Sequence, residues 1–121
     1  MSSRCLLIVE DDADMRAALA EAMSDGGNEV VVATDGVDAL ERLRRGVRPA
    51  VILLDLRLPR LGGQEFLAQL RADTRFDHLP VITMTGGPSR AEGDDIVARL
   101  RKPFDLQDLR EIVESLFEAA A

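Results

Sequence analysis

The stretch Ala50-Val-Ile-Leu-Leu-Asp55 is a short apolar run that ends in an acid, and Cys5-Leu-Leu-Ile-Val9 leads into Glu10-Asp11-Asp12 in the same way. Short apolar runs bounded by turn signals are typical of strands that are buried on both faces of a parallel sheet. Longer stretches of helical periodicity separate these runs. The alternation predicts an α/β fold that is built from βαβ units.

The strands predicted from these runs cover residues 4–9, 29–34, 50–54, 80–84 and 96–101. The first helix follows Asp12, which can cap it, and the glycines at 26 and 27 can end it. The residues predicted for its buried face are Met15, Ala18, Leu19 and Met23. We therefore expect this helix to connect the first two strands in a βαβ unit.

Three further helices are predicted by the same periodicity. The second begins at Asp35-Gly36 and ends at Gly46, the third covers 63–72, and the last is capped by Asp105. Their apolar positions are Val37, Leu40 and Leu43; Phe66, Leu67 and Leu70; and Leu106, Leu109, Ile112, Val113, Leu116 and Phe117. Between the fourth and fifth strands, the glycine-rich segment 86–95 leaves room for a shortened helix only.

Length, charge and cysteine content limit the possible functions. A chain of 121 residues with no linker composition predicts a single domain, 1–121. The net charge of −7 argues against a nucleic-acid surface. Cys5 is the only cysteine, and no apolar stretch is long enough for a membrane span, so we expect a cytoplasmic protein with no membrane partner.

The acids gather at one edge of the predicted sheet. A doubly wound strand order of 2-1-3-4-5 places the ends of the first and third strands side by side, which brings Glu10, Asp11 and Asp55 into one pocket. Two carboxylates about 4 Å apart repel each other by roughly 4 kcal/mol at an effective dielectric constant near 20, so the pocket requires a cation. Oxygen ligands at a shallow site favour Mg²⁺.

A hydroxyl and an ammonium end the remaining two strands. Thr85 ends the fourth strand, and Lys102, the one lysine beside fourteen arginines, ends the fifth. Together they can hold the oxygens of a phosphoryl group carried by Asp55, whose place on a loop leaves it free to act as a nucleophile.

The motifs, taken in order, resemble the receiver domain of two-component response regulators, a flavodoxin-like fold. They are Val9-Glu10-Asp11-Asp12, Leu54-Asp55 with Pro59 and Gly63, Thr85-Gly86, and Lys102-Pro103-Phe104. Each motif alone is weak, but the four together cover nearly the whole chain. The resemblance implies a signalling domain that catalyses only its own phosphorylation and dephosphorylation. Its partner would be a sensor histidine kinase or a histidine phosphotransfer protein, with an unknown downstream target.

The resemblance also implies a role for each residue of the site. Asp55 would accept the phosphoryl group, and Thr85, Lys102 and the backbone N–H of Gly86 would bind its oxygens. The Mg²⁺ ligands would be Asp11, Asp55, the backbone carbonyl of Arg57 and, through a water, Glu10. Asp12 is assigned to the helix cap instead.

The chain departs from the family pattern at three places. Arg99 stands three residues before Lys102, where receivers usually carry an aromatic residue that relays the switch. Thr85 and Lys102 are only seventeen residues apart, which is shorter than usual. Gly87 replaces a longer side chain that often shields the phosphoryl group, so we hypothesise a short-lived aspartyl phosphate.

Two alternatives remain open. The first is a receiver-like interaction module that works without phosphorylation, which Arg99 and the short crossover suggest. The second is an aspartyl-phosphate hydrolase, although such enzymes generally need a second acid where this chain has Arg57. A nucleotide-binding domain is disfavoured because no glycine-rich phosphate loop follows the first strand.

Overall fold

The computed structural model describes residues 4–86 and 96–120. Within them, five strands form one sheet: β1 (Cys5–Val9), β2 (Glu29–Ala33), β3 (Val51–Asp55), β4 (Val81–Thr85) and β5 (Ile96–Arg101). All neighbouring strands run parallel, and their order is β2-β1-β3-β4-β5. The predicted fold class and strand order are confirmed.

The central strands are buried along their full length, as their unbroken apolar sequences predict. All five residues of β1 and all five of β3 are buried. Leu7 is aligned with Val31 on one side and with Ile52 on the other. A strand with helices on both faces has no solvated side, which is why its sequence shows no alternation with polar residues.

Four α-helices lie in the described part of the chain: α1 (Ala13–Met23), α2 (Gly36–Arg44), α3 (Gly63–Ala72) and α4 (Leu106–Ala120). The predicted caps are present. The Asp12 side chain accepts a hydrogen bond from the Met15 backbone N–H, and the Asp105 carboxylate accepts one from Gln107 N–H at 2.8 Å. After α1, a short 3₁₀ helix spans Asp25–Gly27.

Two apolar cores lie on opposite faces of the sheet. Alternate residues of β1 divide between them, because successive side chains of a strand point to opposite faces. Leu7 and Val9 pack with α2 and α3, whereas Leu6 and Ile8 pack with α1 and α4. The buried stripe of α4 consists of Leu109, Val113 and Phe117, with Leu106, Ile112 and Leu116 partly buried beside it.

Two predicted face positions are wrong. Val37 is 39% exposed, and Ala39 is buried instead, because α2 turns its Ala39, Leu40 and Leu43 side toward the sheet. Ala18 is also exposed, so the buried face of α1 rests on Leu19 and Met23. The shortened fourth helix was predicted within 86–95, and residues 87–95 lie outside the described part of the chain. Of the described helices, none has the length and apolar character needed to span a membrane.

Candidate functional site

The carboxyl ends of β1, β3, β4 and β5 lie at one edge of the sheet and carry the polar residues predicted for a site. Glu10 follows β1, Asp55 ends β3, Thr85 ends β4 and Lys102 follows β5. Parallel strands all end at the same edge, so residues far apart in sequence become neighbours there. The structure brings Glu10, Asp11, Asp55 and Lys102 together, as the strand order predicts.

Lys102 bridges the two buried acids. Its Nζ lies 2.7 Å from Glu10 Oε1 and 3.2 Å from Asp55 Oδ2. Its backbone N–H donates to the carbonyl oxygen of Thr85 at 2.7 Å, which holds the start of the segment after β5 against the end of β4. The ammonium therefore reaches across β4 to the ends of β3 and β1.

Three carboxylates surround a space that suits a cation. Glu10, Asp11 and Asp55 each offer an oxygen, and these oxygens all lie within 4.8 Å of one another. Glu10 is fully buried and Asp55 is 4% exposed, whereas Asp11 lies in solvent. The cluster is thus open on one side, and its hard oxygen donors fit a divalent ion that keeps part of its water shell.

The protonation of Glu10 reflects this crowding of acids. Burial, and then the neighbouring carboxylate of Asp55, raise the pKa of Glu10 to about 7, against the opposing effect of Lys102. Burial alone would lower the pKa of Lys102, but its hydrogen bond to Glu10 and the charge of Asp55 outweigh that effect and raise it. One ammonium therefore does not fully compensate two buried carboxylates, and a further cation is favoured there.

The loop after β1 is held by hydrogen bonds at both of its ends. Glu10 N–H donates to Ala33 O at 3.0 Å, and Asp12 N–H donates to the Glu10 carboxylate at 3.2 Å. The Arg16 guanidinium donates to the backbone oxygens of Glu10 and Asp11 at 3.1 and 3.3 Å. Sequence reasoning missed Arg16, since one arginine on an amphipathic helix carries no signal of such a role.

The loop after β3 places Asp55. Its Oδ1 accepts a hydrogen bond from Arg57 N–H at 2.9 Å, while the side chain of Arg57 is exposed. Gly63 lets the loop close on itself, because a Cβ there would lie 2.6 Å from the Cα of Leu56. The assignment of the Arg57 carbonyl as a metal ligand stays a prediction.

The remaining predicted residues occupy the expected edge. Thr85 is partly buried, and Gly86 after it is exposed. Their contacts with a phosphoryl group stay predictions, and Gly87 lies outside the described residues. Arg99 is exposed on β5, so a charged side chain in solvent stands where the family pattern has an aromatic.

Comparison with known proteins agrees with this fold and site. Residues 6–114 match the family described as "Response regulator receiver domain". The chain is 39% identical over 116 residues to the response regulator MprA of Mycobacterium leprae, an alignment that covers 92% of this chain and 50% of that protein. The chain thus spans about half the length of the curated relatives it matches.

Two solved structures are also similar. The phosphorylated cyanobacterial phytochrome response regulator RcpA has a TM-score of 0.80 at 26% identity, covering 98% of this chain and 94% of that one. The Mn²⁺-bound form of response regulator Rcp1 has a TM-score of 0.75 at 26% identity, covering 93% and 90%.

The fold and the acidic edge define a signalling module of two-component systems. The chain belongs to the response regulator receiver domain family. Receiver domains bind a divalent metal, and the acidic cluster that such binding needs is present.

Proposed function

We propose that this receiver domain, comprising residues 1–121, takes a phosphoryl group onto Asp55 from a partner phosphohistidine in a Mg²⁺-dependent reaction, and that the product switches its protein contacts. The carrying observation is the environment of Asp55. Its carboxylate is 4% exposed, lies 3.2 Å from the Lys102 ammonium, and shares a pocket with Glu10 and Asp11. A carboxylate in such a site can act as a nucleophile only toward a phosphoryl group that is delivered to the open side of the pocket.

The transfer replaces a phosphorus–nitrogen bond of the donor with a phosphorus–oxygen bond to Asp55. A carboxylate oxygen of Asp55 forms a bond to phosphorus as the phosphorus–nitrogen bond of the donor breaks. The released imidazole nitrogen keeps the electron pair and takes up a proton. Hydrolysis later returns inorganic phosphate when water attacks the phosphorus of the aspartyl phosphate.

The residues around Asp55 stabilise the charge that moves during this step. Asp11, Asp55 and the Arg57 carbonyl would hold Mg²⁺ directly, and Glu10 would hold it through a water. The bound ion would neutralise charge on the phosphoryl oxygens. Lys102 would move from Glu10 to a phosphoryl oxygen, while Thr85 and the Gly86 N–H bind the others.

Two relatives support this assignment. RcpA, with 26% identity over nearly the whole chain, is described as phosphorylated. Rcp1, also 26% identical, is described as bound to Mn²⁺. We propose a sensor histidine kinase or a histidine phosphotransfer protein as the phosphodonor, and a cytoplasmic location.

A second candidate is a receiver-like module whose interactions do not depend on phosphorylation. The observation that favours it is Arg99, which is exposed on β5 where an aromatic relay is expected. In this case the acidic pocket could still accept a phosphoryl group, but the protein contacts would not change.

Phosphoryl incorporation tests whether Asp55 is the acceptor and whether the reaction needs Mg²⁺. The protein is treated with a small-molecule phosphodonor with and without Mg²⁺, and the intact mass is measured. We expect one added phosphoryl group in the wild type, none without Mg²⁺, and none in Asp55→Asn. Asp108→Asn, at an exposed position on α4, is the matched control and should be phosphorylated normally.

A second measurement is needed to show whether phosphorylation changes the conformation of the domain. Amide exchange in the described segments around Thr85 and β5 is compared before and after phosphorylation. A phosphorylated protein with unchanged exchange there would favour the second candidate. Full incorporation in Asp55→Asn would contradict the assignment of the acceptor.

A further inference from the structure

Arg60 has an unusual backbone conformation in the loop between β3 and α3. Among the residues described, it is the one non-glycine residue with a positive φ, at 61°. This left-handed region is unfavourable for residues with a Cβ, so it persists only where surrounding contacts enforce it. A glycine would adopt this conformation without that cost, so the contacts of the arginine side chain are of interest.

The side chain of Arg60 is fastened to a buried acid. Its Nε and Nη2 both lie 2.6 Å from Asp35 Oδ2, and Asp35 is 5% exposed. The other carboxylate oxygen accepts the Asp38 backbone N–H at 2.8 Å, so Asp35 also caps α2. Burial alone would raise the pKa of Asp35, but the Asp38 N–H and the Arg60 guanidinium outweigh it and lower the pKa.

The backbone of the loop after β3 is also in close contact with the start of α2. A Cβ on Gly36 would lie 2.7 Å from the backbone oxygen of Leu61 and 3.1 Å from its Cβ. Leu58 and Leu61 pack on the apolar core beneath α2 and α3. The loop after β3 therefore crosses the end of the sheet and rests on the first turn of α2.

This contact lies beside the acidic pocket. The loop starts at Asp55, contains Arg57, whose N–H donates to Asp55 at 2.9 Å, and closes at Gly63. Asp35 follows β2, whose last residue, Ala33, accepts the Glu10 N–H at 3.0 Å. The ion pair thus joins the ends of β2 and β3 on either side of β1 and spans the loop that carries the proposed acceptor.

We propose that Arg60 is a positioning residue, and that its ion pair with Asp35 fixes the loop after β3 so that Asp55 and the Arg57 backbone hold the divalent ion and the phosphoryl group. The inference rests on the proposed function. Residues that orient metal ligands contribute about 10- to 100-fold to metal affinity, and displacement of a reacting group by about 1 Å slows a reaction by about 100-fold.

Three variants separate the side chain from the backbone. Arg60→Gly removes the ion pair and relieves the positive φ. Arg60→Lys keeps the charge and the φ but cannot place two nitrogens against Oδ2 of Asp35. Asp35→Asn keeps an oxygen for the Asp38 N–H but loses the charge. Arg45→Gly is the matched control, since Arg45, the residue that follows α2, forms an exposed pair with Glu41 at 3.2 Å at the other end of that helix.

The readouts are the Mg²⁺ dissociation constant, the rate of phosphorylation from a small donor at saturating Mg²⁺, and the urea midpoint of unfolding. We expect Arg60→Gly and Asp35→Asn to weaken Mg²⁺ binding by about tenfold and to slow phosphorylation. Arg60→Lys should fall between them and the wild type. Arg45→Gly should match the wild type. The double variant Arg60→Gly/Asp35→Asn should lose no more Mg²⁺ affinity than Arg60→Gly alone, because both changes remove the same ion pair.

A purely structural role gives a different pattern. In that case Arg60→Gly would change the urea midpoint but leave Mg²⁺ affinity and the phosphorylation rate unchanged, and the inference would be wrong. If the wild type binds Mg²⁺ but takes no phosphoryl group, the proposed function fails. The positioning role would then be judged on Mg²⁺ affinity alone.

Discussion

Where the carboxyl ends of the strands meet, which we call the carboxyl edge, two buried carboxylates share one ammonium. At the opposite, amino edge, where the strands begin, one carboxylate accepts hydrogen bonds from an arginine and an asparagine. Glu114 of α4 accepts hydrogen bonds from Arg4, which precedes β1, and from Asn28, which precedes β2. Asn28 also donates to Met23 O at 2.9 Å and accepts from Arg4 Nε at 2.9 Å. The Arg4 guanidinium lies 5.0 Å from the centre of the Phe117 ring.

The pKa shifts at the two edges have opposite signs. The hydrogen bonds of Arg4 and Asn28 lower the pKa of Glu114, whereas burial and Asp55 raise the pKa of Glu10 to about 7. The amino edge joins β1, β2 and α4 through a carboxylate whose charge is paired with hydrogen-bond donors. The carboxyl edge holds carboxylates whose mutual repulsion one ammonium does not fully offset, which is typical of a functional site.

The largest effect is expected at Lys102. Lys102→Met leaves Glu10 and Asp55 buried without a cation and should lower the free energy of unfolding by about 2–4 kcal/mol in metal-free buffer. Urea unfolding at pH 8 measures this loss. Lys102→Arg keeps the charge and should retain most of the stability, but its planar fork should impair phosphorylation. Wild-type stability in Lys102→Met would show that the acids do not need this ammonium.

Metal should stabilise the carboxyl edge. Mg²⁺ at 10–100 times its dissociation constant should raise the free energy of unfolding of the wild type by about 1–3 kcal/mol, because only the folded chain assembles the three acids. Thermal unfolding with Mg²⁺ or EDTA measures the difference. Asp11→Asn should lose it, whereas Glu114→Gln should keep it. Equal protection of both variants would place the metal elsewhere.

The amino edge should be less sensitive to removal of its acid. The side chains of Arg4 and Glu114 are 37% and 42% exposed, so Glu114→Gln should cost less than about 1 kcal/mol at pH 7. The pKa of Glu114 is lower in the folded state, so its contribution is present above the unfolded pKa and is lost as pH falls. In urea unfolding, the difference in stability between the two proteins should shrink as the pH is lowered from about 4.5. A difference that does not shrink would point to packing instead of charge.

Ionisation of the thiol of Cys5, the first residue of β1, should have no effect on stability at neutral pH. Burial raises the pKa of its thiol from 9.0 to about 11, so the folded thiol stays protonated. At pH 8 the folded chain should hold about 100-fold less thiolate than the unfolded chain, and alkylation should slow at least in proportion. The unfolded state releases its proton first, so stability should fall as pH rises from about 9 to 11. Equal alkylation rates in buffer and in urea would contradict this.

Much of the site was predictable because strand ends follow from local patterns and a doubly wound sheet has few common strand orders. Unbroken apolar runs located β1 and β3, and the doubly wound order placed Glu10, Asp11 and Asp55 at one edge. Lys102 was singled out by composition and by its motif. The burial of Ala39 in place of Val37 was not predictable, since both are apolar and only the packing of α2 chooses between them.

Longer-range contacts escaped prediction for a different reason. Arg60 and Asp35 lie 25 residues apart, and no periodicity or motif relates them. Arg16 is one of fourteen arginines, and its bonds to the loop after β1 depend on how that loop bends back over α1. Arginine side chains are long, and many conformations of equal local energy are open to them.

The sequence by itself determined a parallel sheet of alternating strands and helices with its polar strand ends at one edge, because hydrophobic periodicity is a local property. The strand order was taken from the doubly wound fold that this alternation fits. The tertiary structure decided the 2.7 Å contact of Lys102 with Glu10, the raised pKa of that acid and the ion pair of Arg60 with Asp35. These depend on distances between elements and on burial, and a desolvated charge takes its properties from neighbours that only the packed chain provides.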